Sequence, residues 1–227
     1  MQFTIENINY KFIPSQQISI DNITKKKLLL ENDAFKKYDA NIEINGDLIE
    51  CNDIKKMKKF NRKVIQETYE EYLQILQERD LNKDKWIYNI IDGNAEQDKI
   101  LYRDDKCIVI PTYTWNSHDV NKLHILCIPL DKELRTIRTL DASHILLLQH
   151  MKRVSLFIIK HLYGLLEEDL KIFFHYEPST YHLHIHFVNI RVDEGSSVEY
   201  SHELDNVMFN LFVCGDYYKK CIMKKRV

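Results

Sequence analysis

The sequence predicts an α+β protein: a small N-terminal β-rich segment, a hinge helix, and a C-terminal domain built on an antiparallel sheet. Three observations carry this. Residues 107–111, 123–128, 170–176 and 181–187 are short apolar or alternating runs bounded by turn residues, the pattern of strands. Residues 52–77 and 141–163 instead place apolar side chains at helical spacing. The first 47 residues hold only brief alternations, too few for an independent core. The expected division is therefore 1–47, 48–80 and 81–227.

Composition sets mild bounds. A chain of 227 residues with 44% hydrophobic content can bury one ample core or two small ones. A net charge of −2 makes no electrostatic case for gripping long nucleic acid. Cys51, Cys107, Cys127, Cys214 and Cys221 are odd in number and form no CxxC, which suits reduced thiols in an intracellular protein. No basic region followed by an apolar segment opens the chain, and no apolar run approaches a membrane span, so no membrane partner is expected.

In the N-terminal segment, Phe3-Thr4-Ile5, residues 8–12, Ile18-Ser19-Ile20 and residues 41–44 alternate. Asn45-Gly46 is a strong turn signal. Leu30-Glu31-Asn32-Asp33-Ala34-Phe35 is turn chemistry by itself. In the hinge, Asn52 or Asp53 is a plausible N-cap, and Ile54, Met57, Val64, Ile65, Tyr72, Leu73 and Leu76 form one stripe. A helix of that length spans roughly 40 Å at about 1.5 Å per residue. Its lysines read as a solvated face, with Glu67, Glu70 and Glu71 following.

In the C-terminal domain, residues 86–91 alternate and turn at Asp92-Gly93, and residues 99–102 follow as a strand. Asp141 caps the second helix, whose stripe is Leu147, Met151, Val154, Ile158 and Leu162, and Gly164 ends it. Residues 199–210 read as helix and 217–223 as a closing strand.

The most informative stretch is Tyr181-His182-Leu183-His184-Ile185-His186-Phe187. On a strand, alternation puts His182, His184 and His186 on one face and sends Leu183, Ile185 and Phe187 into a core. Three uses are open: a histidine-rich solvated face, a metal site, or a histidine nucleophile flanked by two helpers. A shared zinc would need convergence from Cα positions spanning about 13 Å, with no cysteine or carboxylate in the strand. A neutral imidazole, by contrast, is nucleophilic near pH 7 and can attack phosphorus.

The run from His182 to Val188 resembles the His-φ-His-φ-His-φ-φ signature of the histidine triad superfamily of nucleotide hydrolases and transferases. The longer run beginning His175-Tyr176-Glu177-Pro178-Ser179-Thr180 is similar to one branch, the scavenger mRNA-decapping enzymes. So is Trp86-Ile-Tyr-Asn-Ile-Ile-Asp-Gly-Asn-Ala-Glu96. That resemblance implies hydrolysis of the 7-methylguanosine cap on short capped RNA or cap dinucleotide, giving 7-methylguanosine monophosphate through a covalent histidine intermediate. It implies His184 as nucleophile with His182 and His186 as helpers, and neither metal nor organic cofactor. It also implies a cytoplasmic enzyme, nuclear as well, that forms a homodimer with exchanged (domain-swapped) N-terminal domains.

For the cap, the resemblance implies Trp86 stacking on the cationic methylated base and Glu96 accepting from its N1–H and amine, chemistry that suits an indole face and a carboxylate. Asn32 would bond the guanine and Phe35 would sit at the pocket rim. His175, Ser179 and Thr180 would line the phosphate site. Thr112, Tyr113 and Thr114 would face ribose and phosphates, although the family has aspartate and lysine where Thr112 and Thr114 stand, and usually tyrosine at Thr180. Two other functions remain as alternatives: a cap-binding protein with weak hydrolysis, and a histidine triad hydrolase of dinucleoside polyphosphates.

Overall fold

The computed structural model describes the backbone of residues 2–5, 8–11, 23–31, 35–44 and 47–57, and residues 63–226 except 116 and 194. The chain forms two compact units, Met1–Asn61 and Arg62–Val227. In the first, β1 (Gln2–Ile5) pairs with β2 (Ile8–Lys11), and β3 (Ile23–Glu31), β4 (Phe35–Ile44) and β5 (Asp47–Met57) form an antiparallel meander. The register of β4 and β5 closes at Ile44↔Asp47, on either side of the Asn45-Gly46 signal.

The hinge helix expected over 52–77 is not one helix. Residues 52–57 lie in β5, residues 64–67 form β6 (Val64–Glu67), and α1 runs only from Tyr69 to Glu78. Ladder pairing decided this, because Ile54 and Met57 pair with Tyr38 and Phe35, and β6 pairs with β13 (Met223–Arg226). A short apolar stripe fits either period until a partner strand is present. Thr68 and Glu71 close a capping box at the true helix start.

The second unit is organised by a six-stranded antiparallel sheet in the order β12-β10-β11-β9-β8-β7. Its strands are β7 (Tyr102–Arg103), β8 (Cys107–Pro111), β9 (His124–Pro129), β10 (Leu170–His175), β11 (Ile185–Asn189) and β12 (Ser201–Glu203). One face packs Val109, Ile125, Cys127, Phe174, Ile185 and Phe187 against α3 (Ile145–Tyr163) and α4 (Leu204–Val213). The other face packs Ile108, Ile110, Leu126 and Ile128 against Ile87, Ile90 and Ile91 of α2 (Lys85–Ile91). Alternation puts His124 and His186 on that second face.

Residues 86–91 are thus helical rather than extended. Ile87, Ile90 and Ile91 satisfy the i, i+3, i+4 rule as well as alternation satisfies a strand, and packing on the sheet selects the helix. The strand expected at 99–102 shrinks to β7 after a 3₁₀ turn at Gln97–Lys99. Asp141 caps a 3₁₀ turn at Ala142–His144 that leads into α3, and Gly164 closes that helix with φ of 71°. The buried face of α3 is Leu148, Met151, Ser155 and Ile159, rotated from the expected stripe so that Leu162 is exposed. Helix α4 begins at Leu204, after β12, rather than near Glu199. The closing segment 217–223 is α5 (Tyr217–Lys220) followed by β13.

Arg138 holds that segment in place. Its guanidinium is fully buried and donates to the carbonyls of Glu67 (2.6 Å), Cys221 (2.7 Å) and Tyr218 (2.8 Å) and to the Tyr176 hydroxyl (3.2 Å). One side chain therefore joins β6, α5 and the end of β10. Lys225 completes the knot with Glu67 at 2.6 Å. Among the described residues no helix is long and apolar enough to cross a membrane.

Candidate active site

Strand β11 begins at Ile185, so His182 and His184 lie in the loop before it rather than in one straight row with His186. The loop is held by bonds that take the place of a ladder. The Leu183 N–H donates to Leu134 O at 2.7 Å, and the Tyr181 N–H donates to an Asp84 carboxylate oxygen at 2.9 Å. The expected inward set holds: Leu183, Ile185 and Phe187 are buried.

The bent loop brings imidazoles together. His184 and His186 ring centroids lie 4.8 Å apart, and those of His175 and His186 lie 4.1 Å apart. Acceptor chemistry fixes three tautomers, since a carbonyl can only accept. His184 donates Nδ1–H to His182 O at 2.7 Å, which leaves the lone pair on Nε2. His182 donates Nε2–H to Pro129 O at 2.8 Å, and His175 donates Nε2–H to Gly195 O at 2.6 Å. His186 Nδ1 meets His124 Nε2 at 2.9 Å. His182 Nδ1 and His186 Nε2 are buried without a hydrogen-bond partner.

Burial keeps these rings neutral. Desolvation, the largest cause in each case, lowers His124 and His182 to about 4 and His175 to about 3, and the like charge of neighbouring imidazoles adds to it. His184 and His186 are lowered for the same first reason, with the Asp84 carboxylate opposing the shift at His184. A neutral His184 with its lone pair on Nε2 is a competent nucleophile at pH 7.

Of the remaining expected residues, Trp86 is partly exposed on α2 and donates Nε1–H to the Thr180 hydroxyl at 3.3 Å, which ties it to the histidine loop. Ser179 is exposed, and its carbonyl accepts from Arg79 at 2.7 Å. Thr112 donates its N–H to His124 O at 3.0 Å, its hydroxyl pairs with that of Thr114 at 3.1 Å, and Tyr113 between them is exposed. Glu96 follows α2 in the left-handed region, φ 53°, and its carboxylate pairs with Lys99 at 3.2 Å. Asn32 lies outside the described residues, and of Phe35 only the backbone, at the start of β4, is described.

Three residues at the site escaped the sequence: His124, Arg79 and Asp84. The alternation around Leu123-His124-Ile125 gives the face of His124, but nothing local pairs β9 with β11. Among the described residues, the one trio of metal-ligand type within 4.8 Å is Asp104, Cys107 and His150, none of them a residue of the histidine loop. Asp104 there already accepts from Lys106 N, Cys107 N, Tyr102 Oη and His150 Nε2, so its carboxylate closes the 104–107 turn and ties it to α3.

An antiparallel α+β domain carrying His-Leu-His-Ile-His-Phe-Val beside further imidazoles defines the class as a histidine triad protein. Residues 85–201 match the family model described as scavenger mRNA decapping enzyme C-term binding. The m7GpppX diphosphatase of Ascaris suum is 31% identical over 211 residues, covering 86% of this chain and 70% of that protein. That of Caenorhabditis elegans is 32% identical over 206 residues, covering 83% of this chain and 66% of that protein. The solved structure of Hnt3 in complex with DNA and guanosine has 16% identity and a TM-score of 0.41 over 57% of this chain and 77% of its own. The chain belongs to the scavenger mRNA-decapping enzyme family.

Proposed function

We infer that this protein hydrolyses the 7-methylguanosine cap of short capped RNA or of cap dinucleotide, releasing 7-methylguanosine monophosphate and a 5′-diphosphate. The observation that carries the chemistry is His184, neutral and with Nε2 as its lone-pair nitrogen. His184 Nε2 attacks the phosphorus next to the methylated nucleoside, and the bond from that phosphorus to the bridging oxygen breaks. The diphosphate leaves with the electron pair. Water then attacks the same phosphorus, the P–N bond breaks back to His184, and the water's proton is released to solvent. His182 and His186 orient His184 and share phosphoryl charge. Trp86 stacks on the cationic base and Glu96 accepts from its edge. His175, Ser179 and Thr180 line the phosphates, with Thr112, Tyr113 and Thr114 along the ribose and phosphate path. The protein works as a homodimer, in cytoplasm and nucleus, without a metal.

A second reading, a cap-binding protein that hydrolyses weakly, is favoured by the neutral Thr112–Thr114 hydroxyl pair, which brings no cation to the phosphates. One experiment separates the two. Wild type and His184→Asn are incubated with methylated and unmethylated cap dinucleotide, products are identified by mass, and binding is titrated in parallel. The expected result is 7-methylguanosine monophosphate from the methylated substrate, several orders of magnitude slower turnover in the variant, and surviving cap binding. Binding without turnover in wild type would establish the second reading.

A further inference from the structure

We propose that His124 is a positioning residue that fixes the tautomer of His186 by donating Nε2–H to His186 Nδ1, so that His186 keeps its proton on Nε2. The inference rests on the reading of this site as a phosphoryl-handling one. His124 stands on β9 and His186 on the neighbouring β11, with the two nitrogens 2.9 Å apart.

Two neutral imidazoles can share that bond in only two ways. If His186 donated, its Nε2 would be a buried lone pair, and the unsatisfied atom would repel the anionic oxygens of a phosphate. If His124 donates, His186 Nε2 is a buried N–H lacking an acceptor. That nitrogen has no hydrogen-bond partner among the described residues. An unpaired buried donor is unfavourable, a penalty that a phosphoryl oxygen would relieve on binding. The second arrangement thus makes His186 a donor poised for the charge that develops in the transition state.

Among the described residues, no other group around the His186 ring is placed to set this tautomer. Phe173 stacks on the His186 ring at 5.2 Å and offers no polar atom. His175 lies 4.1 Å away by centroid, but its Nε2–H is already given to Gly195 O. His184 has its Nδ1–H on His182 O. Among the described residues, only His124 meets a His186 nitrogen at hydrogen-bond distance. His124 itself is steadied through its backbone, where its carbonyl accepts from the Thr112 N–H at 3.0 Å.

The test compares wild type, His124→Phe and His124→Gln with 7-methylguanosine cap dinucleotide as substrate. Phenylalanine keeps a flat ring and removes the donor, whereas the glutamine amide can donate to His186 Nδ1 in place of the imidazole. His124→Phe should lower kcat by about tenfold to a hundredfold with KM little changed, below the roughly 10²–10³-fold cost of losing a charge-stabilising donor outright. His124→Gln should recover most of that loss. Nitrogen-15 correlation spectra of wild type should show His186 protonated at Nε2 and bare at Nδ1. A proton on His186 Nδ1 overturns the proposal whether or not either variant folds. So does a folded His124→Phe with wild-type kcat, even where wild type is active and His184→Asn is dead. Absence of hydrolysis in wild type would instead count against the decapping reading, and the nitrogen spectrum would still decide the tautomer.

Discussion

The Arg79 guanidinium grips the Asp84 carboxylate at two points, Nε to Oδ2 and Nη2 to Oδ1, both at 3.0 Å. The same carboxylate accepts the Tyr181 N–H, while Arg79 donates to Ser179 O and lies 3.9 Å over the Tyr181 ring. Trp86, two residues beyond Asp84, reaches Thr180. The loop that ends in His182 is thereby fastened to the start of α2, the helix that carries Trp86.

Removing Arg79 would leave Asp84, with a side chain only 1% exposed, without its counter-charge. Arg79→Met should therefore destabilise the protein by about 3–5 kcal/mol, the scale for stranding a buried charge. Equilibrium urea unfolding measures this. A loss below about 1 kcal/mol, the range of exposed ion pairs, would show that solvent compensates Asp84.

Trp86→Ala should weaken binding of methylated cap dinucleotide by about 1–3 kcal/mol, the scale of base–aromatic stacking. Glu96→Gln should narrow the preference for the methylated over the plain base, because the pocket loses its countercharge. Fluorescence titrations with both dinucleotides check the pair. Equal affinity of wild type for the two bases would remove Trp86 and Glu96 from cap recognition.

The Thr112 and Thr114 hydroxyls pair at 3.1 Å, and neither side chain carries the charge that the proposed phosphate path would call for. Thr114→Lys should tighten binding of the triphosphate bridge, more so at low salt, where the Debye length is longer. Affinity measured across a salt series decides it; a flat response would mean that the position does not face phosphate.

Acid should unfold the catalytic unit early. His124 and His182, lowered to about 4, and His175, lowered to about 3, are neutral when folded, whereas an unfolded histidine titrates near pH 6.5. Between those values the unfolded chain binds more protons, so stability is complete above about pH 6.5 and falls as pH drops toward 4 and 3. Asp141, held near 2 chiefly by its Ser143 hydrogen bond, contributes stability that is complete above about pH 4 and is lost only as pH falls from there toward 2. Urea midpoints taken from pH 4 to 8 should rise and then level off near neutrality. A profile flat across that range would mean that the rings are solvated.

Much of the site was legible because its signals are local. The period-2 run through Leu183, Ile185 and Phe187 gave the buried side, and the residues around Trp86 and His175–Val188 gave the family. Less legible were elements whose apolar spacing fits two periods. Residues 86–91 and 52–57 exchanged helix for strand, or strand for helix, once the sheet face at Ile108 and Ile128 and the partner strand β4 were available. Arg138 could not be understood at all from its neighbours in sequence, since its acceptors are Glu67, Tyr218 and Cys221.

By itself, then, the sequence determined the α+β class, the strands of the central sheet that alternate cleanly, the helix from Asp141 to Gly164, and the identity of the three histidines. Those follow from side-chain periodicity and capping chemistry, which act over a few residues. Tertiary structure alone decided that His182 and His184 leave the strand, which nitrogen of each ring keeps its lone pair, and that His124 joins the group. A tautomer is set by the acceptor that a ring nitrogen meets, and here those acceptors are Pro129 O, 53 residues from His182, and Gly195 O, 20 residues from His175. Only the folded sheet brings such partners within 3 Å, and only burial there lowers the proton affinity of the imidazoles.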